Sequence, residues 1–270
     1  MKALYIKRIE ISALWGRRNI VWNLHPEVNI LSGINGIGKS TIINMMAKAL
    51  SEKGSLKTEH IKITFEPEGA TDINFDVIRS FDRPLLSGDA LDKLSDRNVK
   101  TELDWQLYEL QRRYLDYQVN VGNRMIELLQ SEDPEMREKA ATLSQAKRRF
   151  QEMIDLLFAD TKKQLDRHCN EIVFVQAGER LLPYQLSSGE KQVLVILLTV
   201  LVQDNQPGTL LMDEPEVSLH IEWQQKLIAM IRELNPRVQI ILTTHSPALI
   251  MDGWLDAVTE VSDISEDPLL

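Results

Sequence analysis

Apolar and charged positions alternate over residues 4–11, which predicts a β-strand, and a shorter strand pattern follows over 19–22. An apolar run at 28–31 predicts a strand that feeds a glycine-rich loop. Over 41–50 the spacing turns helical, with Ile42, Ile43, Met46, Ala47 and Leu50 facing inward and Gly54 ending the helix. Residues 61–65 and 73–78 read as two strands around the turn-rich Glu66-Pro-Glu-Gly-Ala70, and 79–96 as a loop with Pro84 and Gly88.

The pattern then changes. Residues 101–166 hold almost no glycine or proline apart from Gly122 and Pro134. Leu103, Leu107, Leu110, Tyr114, Tyr117 and Val121 alternate spacings of four and three, a heptad seam. Met136, Ala140, Leu143, Phe150, Ile154 and Leu157 form a second seam, interrupted by Lys147. Glu132-Asp-Pro134 predicts the turn between them, since proline suits the first turn of a helix. The reading is an antiparallel helical hairpin inserted in a domain. Its 12 Lys/Arg and 13 Asp/Glu make it nearly neutral. Lys147-Arg-Arg149 and Lys162-Lys163 could touch phosphates or a partner, although a solvated helix face explains them as well.

Strand character returns at 172–175, a helix follows Ser188, and 209–212 reads as a strand. A helix at 219–234, a strand at 238–242, a short helix opened by Pro247 and a strand at 257–261 complete the pattern. Strands alternating with helices indicate an α/β domain with a largely parallel sheet, preceded by antiparallel strands. The predicted segments are 1–99, the helical insertion 100–170, and 171–270.

Composition adds bounds. Of 270 residues, 43% are hydrophobic and 26% charged, as in ordinary globular chains. The single cysteine, Cys169, rules out an internal disulfide and fits a reducing, cytoplasmic setting. No secretory signal is legible at the N-terminus. The most apolar stretch, 193–202, is far shorter than the roughly 20 residues a membrane span needs, so no membrane insertion is expected. A net charge of −9 does not favour broad nucleic-acid binding.

Gly33-Ile-Asn-Gly-Ile-Gly-Lys-Ser40 matches the phosphate-loop template G-x-x-x-x-G-K-[ST] in full, with a strand before and a helix after. Backbone N–H groups of such a loop must turn toward phosphate oxygens, which glycine permits. Asn35, Gly36, Ile37, Gly38, Lys39, Ser40 and Thr41 are therefore the candidate nucleotide-binding set, with Lys39 reaching the β- and γ-phosphates and Ser40 ligating Mg²⁺. The strand 209–212 runs into Asp213 and Glu214. At the carboxyl end of a strand beside a phosphate loop, Asp213 would hold the Mg²⁺ shell and Glu214 would activate water as general base.

Leu186-Ser-Ser-Gly-Glu-Lys-Gln192, ahead of an apolar helix, resembles the signature motif of the ABC-type ATPases. The resemblance implies that Ser187, Ser188, Gly189 and Glu190 meet the γ-phosphate of ATP held by another subunit. A helix N-terminus suits that anion, and Ser187-x-x-Glu190 also fits a capping box. Pro215-Glu-Val-Ser-Leu-His220 looks like the family's D-loop, which lies across the dimer seam. Thr243-Thr-His245-Ser246 looks like its switch histidine, expected near the γ-phosphate. One element departs from the pattern: no glutamine occupies the glutamine-loop position, where Arg79-Ser80-Phe81-Asp82 stands. Ser80 or Asp82 could substitute there, and Gln106 and Gln176 are poorer candidates.

The missing glutamine, the long hairpin and the Glu-Pro-Glu-Val-Ser-Leu-His wording from Glu214 are similar to the SMC/RecF-like and OLD-like ATPases of DNA repair, chromosome maintenance and phage defence. The chain ends about 25 residues after His245, so no C-terminal Toprim nuclease is expected and a nuclease or toxin would be a separate subunit. The resemblance implies an ATPase that binds ATP·Mg²⁺, forms a homodimer with ATP sandwiched at the seam, and engages DNA or an effector protein. A transporter's nucleotide-binding subunit and an ATP-sensing regulator with little turnover are the alternatives.

Overall fold

The structure is a computed structural model and describes residues 1–52, 57–58, 60–79 and 99–266. In chain order, β1 (Tyr5–Leu14) and β2 (Arg18–Asn23) form a hairpin, and β3 (Val28–Ser32) leads into α1 (Lys39–Ser51). β4 (Lys57–Thr58), β5 (Ile61–Glu66) and β6 (Phe75–Arg79) follow. The helical insertion comprises α2 (Glu102–Leu129), α3 (Pro134–Leu143) and α4 (Gln145–Leu157). β7 (Gln164–Leu165), β8 (Phe174–Gln176) and β9 (Glu179–Leu181) precede α5 (Ser188–Val202). Then come β10 (Gly208–Asp213), α6 (Ile221–Leu234), β11 (Val238–Thr243), α7 (Pro247–Met251), β12 (Val258–Glu260) and β13 (Ser265–Glu266).

The backbone divides into two compact units: residues 1–80, 205–232 and 236–270 form one, and 81–204 with 233–235 the other. The first unit holds two five-stranded sheets. One is wholly parallel, in the order β12-β3-β11-β10-β6; the other is antiparallel, in the order β13-β2-β1-β5-β4. This is the α/β phosphate-loop fold expected from the sequence. β1 buries Ile6, Ile9 and Ile11; the expected alternation is broken by a register shift against β5 between Ile6 and Arg8, and the strand continues through a second irregularity against β2 to Leu14. The buried Gln239 ties the two sheets together: its Oε1 accepts from the Ile6 N–H and the Thr209 hydroxyl, and its Nε2 donates to the Ile6 and His25 carbonyls. α1 packs against β5 of one sheet and β10 and β11 of the other. Ile42, Ile43 and Met46 are completely buried, each worth about 1.5–3 kcal/mol relative to exposure. Ala49, not the expected Ala47 or Leu50, completes that face; the latter two sit half-buried at its edge. Gly54, Pro84 and Gly88 lie outside the described residues.

In the second unit all six residues of the first heptad seam are buried along α2. α2 starts with a capping box between Thr101 and Asp104. Asp133 caps α3 and Pro134 occupies its first turn. The second arm is two helices rather than one, divided at Ser144. Of its seam, Ala140, Phe150 and Ile154 are buried, with Phe158 added beyond the predicted end. α5 packs on α2 and α4 and is apolar around its whole circumference from Val193 to Leu201, as befits a core helix.

Candidate active site

The parallel sheet aligns the carboxyl ends of its strands. Leu31 of β3 pairs Thr243 of β11, which pairs Asp213 of β10, which pairs Arg79 of β6. The phosphate loop rises from β3 at this edge. Gly38 caps α1 with φ 114°, and a Cβ there would stand 3.0 Å from the Trp15 ring, so both backbone and space call for glycine. Lys39 is 5% exposed. Its ammonium donates to the Gly33 carbonyl at 2.9 Å and the Ile34 carbonyl at 3.3 Å. Burial lowers its pKa, against the opposing pull of Glu214, Asp213 and Glu216. Such a buried cation, held by two neutral carbonyls, has the chemistry to take an anion in their place.

Around Lys39 the acidic groups are fixed by hydroxyls. Asp213 Oδ1 accepts from the Ser40 hydroxyl at 2.9 Å and the Thr243 hydroxyl at 2.6 Å. The same Thr243 hydroxyl accepts from the Glu214 N–H at 3.0 Å. Glu214 adopts φ 48°, a left-handed conformation that costs an ordinary residue on the order of 1–3 kcal/mol and concentrates at functional sites. The turn brings its carboxylate to 3.4 Å from His245 Nε2. Glu214 and His245 line a cavity of about 620 Å³ together with Asn35, Gly36, Gly38, Lys39, Ser40, Thr41 and Trp15. An adjoining cavity of about 440 Å³ is lined by the far side of the same loop, including Trp15, Arg17 and Ile37.

The Ser40 and Asp213 oxygens suit a hard divalent cation. Among the described residues no group of three or more His, Cys, Asp or Glu could hold an ion by itself. Mg²⁺ commonly takes one or two protein ligands and fills its shell with phosphate oxygens and water.

In the second unit the start of α5 is built differently. Ser187 caps the helix, and Glu190 closes a capping box with it. Glu190 is 3% exposed. Its Oε1 accepts from Lys163 at 2.7 Å and from Thr161, and its Oε2 accepts from the Ser187 N–H and hydroxyl. Burial alone would raise this carboxyl's pKa, but Lys163 and the Ser187 donors outweigh it and hold it below the usual range. Lys191 pairs with Asp104 at 2.8 Å, and both side chains are buried. Ser187 and Ser188 remain exposed, above a buried Gly189.

A family profile described as "AAA domain, putative AbiEii toxin, Type IV TA system" matches residues 70–252 of the 270. The chain belongs to this family. Septu protein PtuA of Bacillus thuringiensis is 23% identical over 98% of this chain and 77% of its own length. A retron Vc95 probable ATPase of Vibrio cholerae is 24% identical over 64% of this chain, which spans 35% of that protein. Among solved structures, an SmcHead bound to the C-winged helix domain of ScpA shares the fold at 14% identity, with TM-score 0.51, over 92% of this chain and 91% of that one. The AAA domain thus shares the fold of an SMC head.

This member of the family brings Asn35, Gly36, Gly38, Lys39, Ser40, Thr41, Glu214 and His245 to one cavity, with Asp213 bonded to Ser40 at its edge. Ile37 lines the adjoining cavity. Ser187, Ser188, Gly189 and Glu190 belong to the other unit. Glu190 is consumed by its cap and ion pair, and Ser188 remains exposed beside it. Ser80 and Asp82 lie outside the described residues, while Arg79 at the end of β6 stands beside Asp213. Gln176 donates to the Thr161 carbonyl, and Gln106 lies on α2. Lys147 and Lys163 of the two basic runs bond inward, to Gln118 and Glu190. Trp15 at the hairpin tip was not foreseen, and Thr243 and Glu216, though they fall within the switch-histidine and D-loop motifs, were not foreseen as the bridge between Asp213 and Glu214 and as the acceptor beneath the histidine. Their hydrogen bonds and contacts span long chain separations, so no local spacing announced them. No helix among the described residues is long and apolar enough to cross a membrane.

Proposed function

We propose that this chain is an ATP·Mg²⁺-dependent hydrolase that dimerises head to tail, with two nucleotides at the seam, and couples this cycle to a separate effector protein or to DNA in phage defence. The observation that carries it is the continuous hydrogen-bonded row Ser40–Asp213–Thr243–Glu214 beside the phosphate loop. Lys39 exchanges its loop carbonyls for phosphate oxygens. Ser40 and Asp213 would hold Mg²⁺, which neutralises charge on the β- and γ-phosphates. Glu214 orients water and accepts its proton, and His245 faces the γ-phosphate. Trp15, 55% exposed, offers a stacking face for the base. The exposed Ser188 and the Gly189 N–H at the start of α5 grip the γ-phosphate of the partner's nucleotide. Positioning and electrostatics supply most of the rate.

The Septu and retron names of the relatives support a defence role, and the ScpA-bound SmcHead supports a protein partner. A role in DNA repair is the neighbouring reading within the same type of ATPase. The test is Glu214→Gln with ATP and Mg²⁺, followed by light scattering and pull-down from the native host. The expected result is a stable dimer carrying a nuclease-like or toxin-like protein or DNA, and steady-state turnover by the unaltered chain. A monomer at saturating ATP, or recovery of a membrane permease, would overturn the proposal.

A further inference from the structure

Glu216 stands on the turn after β10 and is 9% exposed. Three donors converge on its Oε1: the Thr244 hydroxyl at 2.6 Å, the His245 N–H at 2.8 Å and the Ser246 N–H at 3.3 Å. Its Oε2 is buried and, among the described residues, has no hydrogen-bond partner. Burying a carboxylate oxygen unpaired is costly, so fold stability alone is a poor reason for a glutamate here. A charged oxygen, however, holds three converging donors more strongly than a neutral amide oxygen does.

What the three bonds fix is the backbone of one short segment. Gln224 of α6 fastens the same segment from a second side, accepting from the Ser246 hydroxyl at 2.6 Å while donating to the Leu219 carbonyl at 2.9 Å. The turn that carries Glu216 is itself shaped by left-handed residues at Glu214, φ 48°, and Ser218, φ 67°. His245 sends its ring away from these anchors, 39% exposed, into the cavity with Lys39 and Glu214. An exposed ring on an unanchored loop would sample many positions.

We infer that Glu216 is a positioning residue, holding the 244–246 backbone so that the His245 ring is presented to the γ-phosphate end of the pocket. This rests on the ATPase reading above. Glu216 acts through His245, whose N–H it accepts from.

The test is a double-mutant cycle on the full chain, read by steady-state ATP hydrolysis and by binding of a fluorescent ATP analogue. Glu216→Ala should lower kcat on the order of 10²-fold, as small misplacements do, with analogue affinity changed by less than about threefold. Glu216→Gln keeps one acceptor oxygen and should recover about tenfold of that loss. In a His245→Ala background, neither change at Glu216 should slow the enzyme further. Equal losses with and without His245 would overturn the inference, and so would a loss confined to nucleotide affinity. If Glu216→Ala does not fold, the cycle with Glu216→Gln decides. A wild-type chain with no turnover above a Lys39→Ala blank removes the ATPase reading and this one together. An active wild type with a fully active Glu216→Ala removes this one alone.

Discussion

Two lysines near two helix starts show how one residue type serves two ends. Lys39 in α1 is 5% exposed and Lys191 in α5 is 8% exposed. Lys191 is locked to a buried carboxylate, Asp104. Lys39 donates to two loop carbonyls. An ion pair in a dry site is hard to exchange, whereas neutral carbonyls yield readily to phosphate. The difference extends to the neighbours. Around Lys39, two hydroxyls hold the Asp213 carboxylate, and Glu214 faces a cavity. Around Lys191, the buried Glu190 pairs with a half-buried Lys163, and the helix start is clamped to both ends of the helical insertion. One lysine is held by groups that can be displaced, the other by a buried opposite charge.

The largest effect should come from Lys39→Ala, with a fall in ATP-analogue affinity on the order of 10³-fold, the loss typical of truncating a desolvated charge partner. Near-normal affinity would break the contrast at its root. Lys191→Ala, by comparison, should leave nucleotide affinity intact and remove about 3–5 kcal/mol of stability by stranding Asp104; denaturant unfolding measures it. Lys191→Met combined with Asp104→Asn should restore much of that stability, because neither partner is then a buried charge. Trp15→Ala should weaken ATP binding by about tenfold, within the usual 1–3 kcal/mol of base stacking. Unchanged affinity would place the base elsewhere in the paired cavities. The smallest effect is acid sensitivity at Glu190. Its pKa lies below the ordinary value of 4.5. Its stabilisation is therefore complete above that value and is lost as pH falls through the lowered one. The stability gap between wild type and Glu190→Gln should close below about pH 4.5; a gap constant with pH would deny the Lys163 pair its charge.

Much of the fold was legible because its periodicities are local. The α2 seam from Leu103 to Val121 is buried residue for residue, since a four-three spacing leaves one stripe to cover. The second arm was less so: Ser144 divides it, and Lys147 enters the seam because Gln118 and the Tyr114 ring, 5.7 Å away, supply a polar niche no linear pattern shows. Ala49 replaced Ala47 in the α1 face because two sheets contact that helix, which shifts the covered arc.

By itself the sequence determined which short motifs are present: the glycine-rich loop before α1, the paired acids after β10, the serine-rich turn before α5 and the histidine after β11 are each contiguous and so legible without the fold. Tertiary structure alone decided which groups meet. The parallel register sets Thr243 between Ser40's partner Asp213 and Glu214. The irregular end of β1 carries Trp15 to Gly38, and the turn after β10 puts Glu216 under the 244–246 backbone. Those pairings join residues about 20 to 170 positions apart, and only packing the strands side by side brings such distances down to a hydrogen bond.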